Sequence, residues 1–177
     1  TLSFNGNKII TTGSGGMILT NDKEIALTAK HLSTTAKKSH IWDFLHDEVG
    51  FNYRLSNLNA ALGLAQLESL PSYIENKRWV SEQYFEWGEK NNEIFLKEMD
   101  NTKSNYWLNT LVVNDREKRD KFLEVTNKNE IMTRPAWTPM HKLPMYSNCE
   151  KGDMTNTEWL FDRLVSVPSS IVDYSIK

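Results

Sequence analysis

Gly50-Phe51-Asn52-Tyr53-Arg54-Leu55-Ser56-Asn57-Leu58-Asn59-Ala60-Ala61-Leu62-Gly63-Leu64-Ala65-Gln66-Leu67-Glu68 changes character at Ser56. Before it the chain is polar and aromatic without a period; after it leucine and alanine recur at helical spacing. Ser56 is a good N-cap, because its hydroxyl can accept from a backbone N–H two or three residues on. Leu55, Leu58, Leu62 and Ala65 form one stripe, and Ala60, Leu64 and Leu67 add a second. A helix apolar around most of its circumference is normally buried. The spacing therefore predicts a deep helix, stopped at Pro71.

Upstream, Lys37 to Tyr53 reads as one long loop. Loops of that length are usually functional or disordered, and Trp42, Phe44, Phe51 and Tyr53 favour a packed, functional one. Asn21-Asp22 are turn or N-cap residues, and Ile25, Leu27, Ala29 and Leu32 predict a helix to about Ala36. Ile9-Ile10 and Met17-Ile18-Leu19-Thr20 read as two short strands about a Gly13-Ser14-Gly15-Gly16 turn. Two strands alone are not stable, so the first 70 residues are expected to need more sheet than this chain supplies.

Downstream, a helix is predicted from Ser72 to Asn91, with Ile74, Val80, Tyr84 and Trp87 on one side. A strand from Tyr106 to Val113, a helix from Arg116 to Asn127 and a strand from Ile131 to Arg134 follow. A loop from Trp137 to Lys151 and a short helix from Asn156 to Leu164 complete a small α+β unit. The expected division is 1–70 and 71–177, and no element is visible at Ile171 to Lys177.

The 177 residues carry 21 Lys+Arg against 23 Asp+Glu, a net charge of −2, which argues against general electrostatic capture of nucleic acid or an anionic membrane. Hydrophobic residues at 39% are enough to fill a core. The single cysteine, Cys149, cannot form an internal disulfide and fits a reducing compartment such as the cytoplasm. His31, His40, His46 and His141 form no recognised ligand set, so no metal site is expected.

Lys8 stands among small polar residues in Ser3-Phe4-Asn5-Gly6-Asn7-Lys8. A free lysine titrates near pH ~10.4, so only about 0.04% is neutral at pH 7. Burial or a neighbouring cation can make such an amine reactive toward a carbonyl. From residue types alone, a solvated surface lysine beside a glycine turn remains the simpler assignment. The glycines have neither the Walker order nor the spacing that opens a dinucleotide-binding helix.

Taken with Gly13-Ser14-Gly15-Gly16-Met17, with the Gly50–Glu68 stretch and with Thr133-Arg134-Pro135-Ala136-Trp137-Thr138-Pro139-Met140-His141, the Lys8 segment resembles the DegT/DnrJ/EryC1/StrS family of nucleotide-sugar aminotransferases. Leu143-Pro144-Met145-Tyr146 extends the last block, and the resemblance runs from Ser3 to Ser170. It implies an α/β, aspartate-aminotransferase-like fold (fold type I), of which this chain would carry the end of the large-domain sheet and a small α+β domain. It implies pyridoxal 5'-phosphate as cofactor, with Lys8 as the lysine that bonds to it and moves protons during catalysis. Ser3 matches the serine that hydrogen-bonds the cofactor phosphate. Asn52 matches an asparagine that reaches the phosphate across a homodimer interface. Tyr53 and Arg54, and Arg134, Trp137 and His141, match substrate-facing positions, each of which is also a good structural anchor. Family dehydratases have histidine where this chain has Lys8, which favours transamination.

The implied reaction is transfer of an amino group from L-glutamate to a 4-keto-6-deoxy nucleotide sugar, with a lean toward UDP-linked sugars. The product would be a 4-amino sugar for surface-glycan biosynthesis. In the family an aspartate far upstream of the lysine pairs with the cofactor ring nitrogen. No counterpart can precede Lys8 here, so the isolated chain is expected to be inactive. The alternatives are a 3-keto-sugar aminotransferase of the same family and a non-enzymatic module that binds a nucleotide or a protein.

Overall fold

The computed structural model describes residues 1–173, and the chain divides into two compact units at Pro71.

In the first unit, β1 (Leu2–Ser3) pairs antiparallel with β2 (Gly16–Met17), Leu2 opposite Met17. The partner of the second strand is therefore Leu2–Ser3 and not the expected Ile9–Ile10. The intervening chain is committed to turns: the Lys8 N–H donates to the Asn5 carbonyl at 3.0 Å and the Thr12 N–H to the Phe4 carbonyl at 3.0 Å. Gly15 has φ +130°, and a Cβ there would lie 2.8 Å from Leu55 Cδ1, so only glycine fits.

α1 (Lys23–Ser33) is capped by Asp22, whose carboxylate accepts from the N–H groups of Glu24 and Ile25 at 2.8 and 3.1 Å. It stops short of the expected Ala36 because Thr35 and Ala36 are left-handed, at φ 71° and 49°. The stretch after it contains only isolated bridges, Thr34 with Asn52 and Lys37 with His46. It is the long loop that the sequence predicts.

α2 (Asn57–Asn91) starts where expected: the Ser56 hydroxyl accepts from the Asn59 N–H at 3.3 Å. Two expectations about it fail. The helix runs through Pro71, so the two predicted helices are one. Pro71 is exposed, and at an exposed turn solvent can reach the carbonyl that loses its donor. Nor is the helix deep within this chain: Leu58 is 86% exposed, and Leu62, Leu64 and Leu67 are exposed too. Its first turns carry Asn59 and Gln66, which bond to the loop of the first unit. There the Asn59 side chain donates to the Thr12 carbonyl, and the Gln66 side chain accepts from the Thr11 N–H at 3.4 Å.

The second unit is built on a four-stranded antiparallel sheet in the order β3 (Ile94–Phe95), β4 (Asn109–Val112), β6 (Leu164–Val167), β5 (Arg134–Pro135). Phe95, Leu111, Val113, Val165 and Val167 form its core, covered by Tyr84 and Phe85 of α2 and by Phe122 and Leu123 of α3 (Arg116–Lys128). α4 (Thr155–Phe161) is shorter than expected, because Leu164 belongs to the following strand. That strand, which the sequence reading missed, is central to the sheet. The strand expected at Ile131–Arg134 lies instead at Arg134–Pro135, on an edge, where proline's missing donor costs no ladder bond. Ile171 to Asp173 form no helix or strand, and the rest of the expected Ile171–Lys177 tail lies outside the described residues. No helix among the described residues is long and apolar enough to cross a membrane.

Candidate active site

Lys8 lies half-buried just beyond the Asn5-Gly6-Asn7 turn. The turn is tied at its base by the Phe4 N–H donating to the Gly15 carbonyl at 2.9 Å and by the Thr11 hydroxyl donating to the Phe4 carbonyl at 3.0 Å. Ser3 sits at the entry to the same loop, exposed on β1, and its hydroxyl oxygen accepts weakly from the Asn5 N–H at 3.5 Å. That contact leaves the Ser3 O–H proton to be donated elsewhere. A primary amine and a hydroxyl donor on one closed loop are the donor set required by an aldehyde that carries a phosphate. The residues present therefore fit the part of pyridoxal phosphate that this chain would hold.

Asn52, Tyr53 and Arg54 leave the long loop on its way into α2. Backbone bonds to the end of α1 hold them: Phe51 N–H to Leu32 carbonyl at 2.7 Å and Tyr53 N–H to Ser33 carbonyl at 3.0 Å. Tyr53 stacks on Phe51 with centroids 5.0 Å apart and is otherwise exposed. Tyr53 and Arg54 line a cavity of about 890 Å³ with Leu2, Ser14, Gly15 and Asn59. Ser3, Lys8 and Asn52 are not part of that lining.

The other three expected residues belong to the second unit. Arg134 is exposed on the edge strand, opposite Ser166. Trp137 is 71% exposed and stacks on Trp107, with ring centroids 6.2 Å apart and planes at 23°. His141 is largely buried in a 3-10 turn, and its Nε2 lies 2.9 Å from Glu158 on α4. That hydrogen bond, with Lys142 second, holds the Glu158 carboxyl below its ordinary range. His141 is thus engaged as an anchor, whereas Trp137 offers an open ring face.

The sequence did not point to Trp107 or Glu158, which are distant in the chain from the residues they support. It also missed the cluster about Asp47, whose carboxylate lies 2.6 Å from His31 Nε2 and 3.7 Å from Lys38 Nζ. No spacing rule links residues 31 and 47 across an irregular loop.

Several known proteins are similar to this chain in sequence or in structure. GDP-perosamine synthase of Escherichia coli O157:H7 is 37% identical over 150 residues, covering 83% of this chain and 40% of that protein. The putative pyridoxal phosphate-dependent aminotransferase EpsN of Bacillus subtilis is 36% identical over 174 residues, 94% of this chain and 44% of its own length. The chain thus spans under half the length of these relatives. Among solved structures, Helicobacter pylori PseC, an aminotransferase of pseudoaminic acid biosynthesis, superposes with a TM-score of 0.88 at 21% identity, covering 97% of this chain and 48% of that one. A putative sugar aminotransferase of Streptococcus pneumoniae in its PLP form gives 0.83 at 22% identity, covering 98% and 47%. These likenesses establish the α/β fold of the type I aminotransferases, of which this chain carries a part. With the family profile matching residues 1–171, the chain belongs to the DegT/DnrJ/EryC1/StrS aminotransferase family.

Proposed function

We propose that the whole protein is a pyridoxal phosphate-dependent aminotransferase of nucleotide sugars, working in the cytoplasm as a homodimer, with Lys8 as its catalytic lysine. The observation that carries this is the closed Ser3–Thr12 loop, which holds a half-buried lysine within a few residues of a hydroxyl donor. When bound, pyridoxal phosphate supplies an electron sink and carries the amino group between donor and acceptor. The Ser3 hydroxyl donates to a phosphate oxygen, and the Asn52 amide does the same for the neighbouring subunit. Lys8 holds the cofactor through Nζ. The same amine would take a proton from the donor carbon and return one to the sugar carbon. Arg54 and Arg134 are suited to anionic groups of the substrate, because a guanidinium pairs bidentately with phosphate or carboxylate. Trp137 is suited to a base or sugar face.

The substrate of this reading is a 4-keto-6-deoxy nucleotide sugar, with L-glutamate as donor and a 4-amino sugar for surface glycan as product. UDP is one candidate nucleotide. GDP is a second, favoured by relatives named GDP-perosamine synthase that align with 83% and 96% of this chain, whereas a UDP-altrosamine transaminase aligns with 50%. Assaying UDP- and GDP-linked 3-keto and 4-keto sugars for amine formation separates these readings from one another.

Borohydride reduction of the whole protein with pyridoxal phosphate should place a stable adduct on the peptide containing Lys8. Lys8→Ala should lose the adduct and at least about 10²–10⁴-fold in turnover, the share usual for acid–base catalysis alone. An unmodified Lys8 peptide in the wild type would instead favour a binding module.

A further inference from the structure

Thr35 and Ala36 are consecutive left-handed residues, neither of them glycine. A β-branched residue rarely adopts that conformation. Such backbone strain persists only where the surroundings over-determine it, and it clusters at functional sites.

The surroundings here are specific. The Thr35 N–H donates to the Phe51 carbonyl at 3.0 Å and the Ala36 N–H to the His31 carbonyl at 2.9 Å. His46 donates from Nδ1 to the Thr35 carbonyl at 2.7 Å. The Asp47 N–H donates to the Ala36 carbonyl at 3.2 Å, while its carboxylate accepts from His31 Nε2 at 2.6 Å. Ala36 is fully buried, and a Cβ on Gly50 would lie 2.4 Å from the Thr35 carbonyl carbon. Apart from the two that reach His31 at the end of α1, these contacts fall within the segment between the bridged residues Thr34 and Asn52. The left-handed turn therefore sets where residues 51–54 lie against the end of α1.

We propose that His31, His46 and Asp47 are positioning residues: they clamp the Thr35–Ala36 turn and thereby fix Asn52, Tyr53 and Arg54 for contact with cofactor and substrate. The functional half of this inference rests on the assignment of Asn52 above. Strain and clamp oppose one another. Loosening the clamp lets the turn relax, and Phe51 and Tyr53 then lose their partners on α1. Glycine at position 35 removes the β-branched share of the strain, leaving only that of Ala36, and so lessens the need for the clamp.

Asp47→Asn, Thr35→Gly and the double variant test this by amide hydrogen exchange in the full chain and by cofactor affinity in the holoenzyme. Asp47→Asn should speed exchange at Thr35, Phe51 and Tyr53 by roughly tenfold, the scale of one lost hydrogen bond to a charged group. Ala60, on α2, should be unchanged, and the double variant should return toward wild type. In parallel the dissociation constant for pyridoxal phosphate should rise by roughly the same factor and recover in the double variant. Unchanged exchange in Asp47→Asn, or no recovery in the double variant, overturns the clamp. Faster exchange with unaltered cofactor affinity overturns its positioning role. An absent adduct at Lys8 sinks the catalytic assignment, while exchange still decides the clamp.

Discussion

The two units are held together by different physics. In the second, Phe95, Leu111, Val113, Val165 and Val167 are buried together, drawn from three strands and the residue after one of them. In the first, Thr12 and Ala36 are the only buried residues among those described, while Ile41, Trp42, Phe44, Val49 and Leu58 lie open. Its order comes from turns, caps and side chains bonded to backbone. Hydrophobic burial resists local opening, whereas exposed hydrogen bonds do so weakly. Lys8, Ser3 and Asn52 thus occur where the chain has least core of its own. The unit with a core offers an aromatic face and an arginine.

The largest effect that sharpens this contrast is Leu111→Ala. Leu111 is 3% exposed at the centre of the sheet core, so its truncation should cost about 3 kcal/mol in urea unfolding of the second unit. Leu64→Ala, on the exposed turns of α2 in the first unit, should stay within about 0.5 kcal/mol in the same chain. Similar losses at both positions would mean that the first unit has a core after all.

A smaller effect is electrostatic. Arg78 grips both Glu98 oxygens at 2.7 and 3.0 Å, and the Ser104 N–H donates to the same carboxylate at 2.6 Å. The Arg78 contact first, and the Ser104 amide second, lower the Glu98 pKa from its ordinary 4.5 to about 2. A carboxyl depressed on folding stabilises the native state above its unfolded pKa, and that contribution is lost as pH falls through its folded pKa. The urea midpoint of the second unit should therefore fall between about pH 4.5 and about pH 2, and Glu98→Gln should flatten that part of the curve. In the first unit Asp47 is lowered in the same direction, chiefly by the His31 hydrogen bond. Acid should loosen its clamp as well, read as faster exchange at Phe51. An acid response confined to the second unit would show that the Asp47 pair stabilises nothing.

What the sequence disclosed follows the same divide. Periodicity and caps were enough for the start and body of α1 and for the start of α2, because those signals are local. β6 was hidden: Leu164-Val165-Ser166-Val167 is too short to stand apart from the helix before it, and only pairing with β4 and β5 makes it a strand. Pro71 misled because the rule against proline within a helix assumes that the freed carbonyl has no other partner. The burial of α2 was inferred from its own apolar circumference, but what covers a helix is a property of its neighbours. Lys8 was singled out only by resemblance to a family, since its composition and spacing are those of any surface lysine. The Thr35–Ala36 turn had no signature at all, because left-handed positions are normally announced by glycine or asparagine.

The smallest test compares like with like. Asp22 and Asp115 are both N-caps: the first accepts from two N–H groups of α1, the second from the Lys118 N–H of α3 at 2.8 Å. Replacing either with alanine removes about 1 kcal/mol of local stability. α3 packs Phe122 and Leu123 onto the sheet core, so Asp115→Ala should appear as a shift in cooperative unfolding of the second unit. α1 contains no buried residue, so Asp22→Ala should be spent locally, as faster exchange at Glu24 and Ile25 with the unfolding midpoint unmoved. If both variants shift a single transition equally, the chain folds as one cooperative body. The hydrogen bonds of the first unit would then be as consequential to global stability as the core of the second.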